Sequence, residues 1–135
     1  MTMIRWDASL SVGVSQIDQE HRKLVDMVNS LHQGVVSGKG KEALGAILNS
    51  LVSYTKTHFE AEERLMKQHA YPGYLQHKKE HNRLMLDVGE VVKLYHAGTA
   101  TLPDNVLRFL VDWLTNHIKA EDKKTGQFLQ SKGLR

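Results

Sequence analysis

The chain contains no cysteine. That excludes disulfides, thiolate metal sites, iron–sulfur clusters and c-type haem attachment. No apolar run approaches the length needed to span a bilayer, and the N-terminal Met1-Thr2-Met3-Ile4-Arg5-Trp6 lacks the apolar core of a signal peptide. A cytoplasmic location is therefore expected. No basic run with interleaved aromatics occurs, and the formal charge of +3 is spread among interspersed acids, so neither nucleic acid nor a membrane is an expected partner. No two-residue hydrophobic alternation is sustained anywhere, which leaves little room for β-structure. Hydrophobic residues make up 41% of the 135 positions, an ordinary proportion for a globular protein and enough for one core. One domain over residues 1–135 is the expectation, and a monomer.

What the chain has in excess is histidine, with eight residues. His58 and Glu62 stand four apart before Tyr71-Pro72-Gly73, and His77 and His81 stand four apart after it. On a helix that spacing puts two side chains on one face. Two such pairs facing each other across a hairpin offer three imidazoles and a carboxylate to a common point.

The rest of the chain supplies the helices. Residues 1–15 read as an extended arm anchored by Trp6, and Ser15-x-x-Asp18 resembles an N-terminal capping pattern. A first helix is expected to about Val36, with Ile17, His21, Leu24, Val28 and Leu31 at helical spacing, ended by Ser37-Gly38-Lys39-Gly40. A second is expected from about Lys41 to about His69, and a third from about 74 to 97 that buries Leu84, Val88, Val91 and Leu94, with Gly98 as C-cap. Pro103 suits the first position of a fourth helix carrying Val106, Leu107, Leu110, Trp113, Leu114, His117 and Ile118. Gly126 is expected to kink or end it, with a short terminal helix at Phe128 and Leu129 packing back. The predicted fold class is all-α: an antiparallel up-down four-helix bundle with an N-terminal extended arm and a short C-terminal helix.

Counting residues from the loops tests whether the histidines meet. His21 lies roughly 17 residues before the first loop and His58 roughly 18 after it, about 25–27 Å from the same end at 1.5 Å per residue. His81 and His117 agree to within about a turn from the third loop, and Glu62 and His81 share a level across Pro72-Gly73. His32 is at the wrong height, and His69 and His96 sit at helix ends, where imidazolium suits the dipole. An apolar core holding the other five as free imidazoles would leave polar atoms unpaired at about 1–3 kcal/mol each. A bound metal removes that cost. Nitrogen-rich, sulfur-free ligation suits iron and also admits zinc or manganese.

The pattern resembles the hemerythrin family, itself an example of the up-down bundle. The matching residues are His21; His58 with Glu62; His77 with His81; and His117 with Asp122, beside the segment Trp113-Leu114-Thr115-Asn116-His117-Ile118-Lys119. Trp6 and Ile17-Asp18-Gln19-Glu20-His21 look like the bacterial single-domain branch, and the likeness covers nearly the whole chain. The resemblance implies two non-haem irons (Fe2+/Fe3+) with an oxo or hydroxo bridge. His77, His81 and His117 would fill one, His21 and His58 would leave the other five-coordinate, and Glu62 and Asp122 would bridge both. Seven side chains and a solvent bridge then fall one donor short of two octahedral ions. Dioxygen would bind reversibly there, held as hydroperoxide, with Leu114, Ile118 and Trp113 as the O2 pocket wall. On that reading the protein is an oxygen carrier, store or supplier and not an enzyme. Sensing, iron storage or a di-iron oxidase or peroxidase are the alternatives. The last normally uses Glu-x-x-His pairs, and no histidine here has Glu three residues before it.

One position conflicts with simple geometry. Asp122 is five residues after His117, about 140° round an ideal helix, whereas Glu121 is four after. Periodicity favours Glu121 and the family pattern favours Asp122, which requires a distorted or ending helix. Glu62 over Glu63 is simpler, since Glu62 shares a face with His58.

Overall fold

The computed structural model describes residues 4–38, 40–97 and 107–135. After a single 3-10 turn at Ala8–Leu10 come α1 (Ser15–Val36), α2 (Lys41–Gln68), α3 (Tyr74–His96) and α4 (Leu107–His117). A π-helical segment, Ile118–Asp122, then leads without a break into α5 (Lys123–Ser131). The architecture is all-helical, four bundle helices and a short C-terminal one, with no strand among the described residues. The expected Gly98 cap, the Pro103 helix start, Val106, Lys39 and the first three residues of the arm lie outside the described residues.

The capping reading at α1 is corrected. Val14 is the N-cap residue and no side chain caps it. Asp18 turns back instead, accepting from Val12 N at 2.8 Å and Ser11 Oγ at 2.6 Å, so its carboxylate ties down the arm. The arm is fastened again at Ile4, whose backbone N donates to Asn29 Oδ1 at 3.0 Å while Asn29 Nδ2 donates to the Ile4 carbonyl at 2.8 Å. Trp6 anchors it as expected, with the Arg22 guanidinium 5.3 Å from its ring.

Leu24, Val28 and Leu31 of α1, Leu48 and Leu51 of α2, Val88 and Tyr95 of α3 and Leu110 of α4 meet in one core. Leu94, expected inside, is 42% exposed. Leu84, Val88, Val91 and Tyr95 keep a 4-3-4 spacing on one face, and Leu94 sits about 100° round from Tyr95. Gly126 is also corrected: α5 runs straight through it. It is buried against the arm, and a Cβ there would run into the Val12 carbonyl oxygen. Glycine is required by close approach and not by a bend. The irregularity in the fourth helix lies upstream, at Ile118–Asp122.

Candidate metal centre

α1 contributes His21, α2 contributes His58 and Glu62, and α3 contributes His77 and His81. His117 closes α4 and Asp122 closes the π segment. A π turn bonds i to i+5, so residues five apart stack nearly above one another. That local change of pitch brings Asp122 onto the face of His117. Glu121 is left half-buried at the surface, 3.9 Å from Lys124 Nζ.

All seven side chains converge. They form two groups: Glu62, His77, His81, His117 and Asp122; and His21, His58, Glu62 and Asp122. Within each group, one ligand atom per residue lies within 4.8 Å of the others, and the two carboxylates belong to both. Asp122 lies 2.9 Å from His21 Nε2, 2.9 Å from His77 Nε2 and 3.2 Å from His117 Nε2. Glu62 lies 3.1 Å from His58 Nε2, 2.8 Å from His77 Nε2 and 3.4 Å from His81 Nε2. His32, His69 and His96 stand outside both groups. His69 Nδ1 lies 2.9 Å from the Leu65 carbonyl at the end of α2.

These contacts are short but poorly directed. Both oxygens of Glu62 and of Asp122, and the Nε2 atoms of His21, His58 and His77, are buried and lack a well-aligned hydrogen bond among the described residues. Donor atoms aimed at a shared space and not at each other fit a bound cation, because buried polar atoms otherwise carry a heavy penalty. The donor set fits the non-haem metal pair that the resemblance implies, being nitrogen-rich and free of sulfur.

The metal-free electrostatics follow from the same crowding. Burial pushes the His58 imidazolium down, but the Glu20 and Glu62 carboxylates outweigh it and carry the pKa up to about 10. His77 is likewise opposed by burial and raised to about 10 by Asp122 and Glu62. His21 is raised too, burial being outweighed by Asp122. Burial acts to raise Glu62 and Asp122, yet the imidazoles around them hold both well below the usual carboxylate range. Without metal, the site balances its charges with protons.

Sequence reasoning missed four further residues. Glu20 Oε1 is 2.6 Å from His58 Nδ1, and Glu63 Oε2 is 2.9 Å from His81 Nδ1. His77 Nδ1 meets Thr125 Oγ1 at 2.6 Å, and that hydroxyl donates to the Glu121 carbonyl at 3.2 Å, within the π segment. Such partners leave Nε2 free to face a metal. Glu20 and Glu63 sit directly beside His21 and Glu62 in sequence yet serve histidines on other helices. No local spacing encodes that. The fourth is Phe59, which stacks on the His81 ring at 3.8 Å and 4°. Leu114, Ile118 and Trp113 are all buried, and the Trp113 ring lies 6.2 Å from that of Phe59.

A four-helix bundle holding two overlapping histidine–carboxylate groups defines a buried, histidine-rich metal-binding protein. The Hemerythrin HHE cation binding domain model matches residues 12–129. The chain is 35% identical over 132 residues to a Bacteriohemerythrin of Methylococcus capsulatus, covering 97% of this chain and 100% of that one. It is 34% identical to a Bacteriohemerythrin of Stenotrophomonas maltophilia, over 91% of this chain and 79% of the other. A crystal structure of a hemerythrin mutant superposes with a TM-score of 0.89 at 34% identity, covering 96% of this chain and 98% of that one. The chain belongs to the hemerythrin family.

Proposed function

We propose that the protein binds dioxygen reversibly at two non-haem irons held by His21, His58, Glu62, His77, His81, His117 and Asp122, as a carrier or store and not as an enzyme. The observation that supports this most directly is the pair of donor groups sharing Glu62 and Asp122 inside a hemerythrin-family bundle. When bound, paired ferrous irons supply the two electrons that dioxygen binding borrows and its release returns.

The chain's own residues do the rest. His77, His81 and His117 form the nitrogen-rich side and His21 and His58 the nitrogen-poor side, which would leave one ligand position for dioxygen to take. Glu62 and Asp122 reach both. Glu20, Glu63 and Thr125 hold the rings of His58, His81 and His77 in the orientation that presents Nε2. Leu114, Ile118, Trp113 and Phe59 are buried around the cluster and exclude the water and protons that would drive irreversible oxidation. Dioxygen is the partner in this reading, the chain acts as one domain over residues 1–135, and a cytoplasmic monomer suffices. No helix among the described residues is long and apolar enough to cross a membrane.

The test is metal content together with visible absorption of purified protein, with and without air. Two irons per chain and a colour that appears and fades with oxygen are expected. A single zinc, or no oxygen-dependent band, overturns the reading. Hydrogen exchange in the deoxy and oxy forms separates carrier from sensor: a carrier changes little, a sensor shifts a defined surface.

A further inference from the structure

Six of the seven cluster residues are sealed, with His21, His58, Glu62, His77, His81 and Asp122 each 0–1% exposed. His117 is the least buried, at 7%. It forms part of the wall of a surface depression of about 440 Å³ between α3 and α4, beside Trp113. Its Nε2 is turned to Asp122, while its Nδ1 is buried with no hydrogen-bond partner among the described residues. The same depression is walled by three carboxylates, Glu80, Asp112 and Glu121, and among the described residues by no Lys or Arg.

Other depressions differ on both counts. The one at the arm has Arg22 in its wall, the one at Tyr54 has Lys23, and the one at Leu75 has Lys78 and Lys79. None of these three has a cluster residue in its wall. Among the described residues Glu80 and Asp112 form no ion pair, and Glu121 has only the exposed Lys124 at 3.9 Å. On a chain of net charge +3, this is a local reversal of sign placed over the most accessible imidazole of the centre.

We infer that this depression is the loading port of the metal centre, where a hydrated divalent cation is collected by Glu80, Asp112 and Glu121 and handed to His117. The inference rests on the reading that the seven side chains hold iron. A cleft lined by one sign of charge concentrates the opposite ion and raises its association rate by about 10–1000-fold. Salt screens that advantage over about 8 Å at physiological ionic strength. None of the three carboxylates is needed to hold the metal once it has arrived, so the effect belongs to the rate and not to the final occupancy.

The experiment is stopped-flow loading of metal-free protein with anaerobic ferrous ion, and separately with Co(II). It is followed by tryptophan emission, since Trp113 adjoins His117 in the port, and closed by metal analysis. The triple variant Glu80→Gln, Asp112→Asn, Glu121→Gln is expected to load about tenfold more slowly at low salt and to lose most of the salt dependence. It should still reach two ions per chain. A control variant, Asp26→Asn, Glu42→Gln, Glu90→Gln, removes equal charge from exposed positions outside the port lining and should load like the wild type. Circular dichroism before loading confirms that each variant is folded, and the three single substitutions replace the triple if it is not. Equal rates for the port and control variants overturn the loading port while leaving the metal centre standing. Failure of the wild type itself to take up two ions overturns both.

Discussion

Glu20 shows how much a single carboxylate decides. Its bond to His58 Nδ1 fixes the tautomer that presents Nε2 to the centre and makes that ring a stronger donor. Glu20→Gln keeps the shape and removes the charge, so metal affinity should fall about 10–100-fold with the fold intact. Competition against a chelator measures it, and an unchanged affinity would reduce Glu20 to a surface contact. Leu114 makes the opposite contribution, acting by exclusion: it is buried and carries no polar atom. Leu114→Ala opens space for water beside the centre and should speed autoxidation of the oxygenated protein. The decay of the oxygen-dependent absorption band reports this, and an unaltered decay removes Leu114 from the mechanism.

Among the elements, the π segment Ile118–Asp122 carries the heaviest demand. One helix must present His117 and, five residues on, Asp122 to a single point, which an α-helix does not do. Thr125 supports the arrangement from below, its hydroxyl joining His77 to the Glu121 carbonyl. Deleting Ala120 would let the segment revert to α pitch and bring Asp122 to four residues after His117, so that four residues make the turn that five make now and α5 keeps nearly its present phase against the arm. The Gly126–Val12 contact should therefore survive and the thermal midpoint of the metal-free protein stay near that of the wild type, while the altered reach of Asp122 weakens metal binding in competition with a chelator. A deletion variant that holds metal as tightly as the wild type would show that the π turn is not needed for ligation.

For the molecule as a whole, folding, protonation and metal binding are linked. In the metal-free state the raised His58 and His77 stabilise the fold while protonated. That contribution is complete below about 6.5, the unfolded histidine value, and fades as pH rises toward about 10. Glu62 and Asp122, held low, contribute above their unfolded values near 4.5 and 3.8 and lose that contribution as pH falls further. Denaturation of metal-free protein should therefore show greatest stability at about pH 5–6.5, declining on both sides. Metal requires neutral imidazoles, so loading should release protons and the metal-bound form should resist the alkaline decline. A flat alkaline limb for the metal-free protein would contradict this.

The helical bundle, the ends of its first three helices within a residue or two, and the heights of five histidines could be read from periodicity, Gly and Pro punctuation and a rise of 1.5 Å per residue. Those properties are local, and local order along a chain is what a one-dimensional string encodes. Three matters belonged to the folded chain alone. Asp122 rather than Glu121 faces the cluster because the chain takes a π turn over Ile118–Asp122, which periodicity does not foretell. Glu20, Glu63 and Thr125 found their histidines 18 to 48 residues away, across helix–helix contacts that no spacing predicts. Tyr95 and not Leu94 turned inward, because helix phase is set by the neighbours it meets. Each depends on how rods are rotated against one another, and packing of one helix on the next chooses that angle.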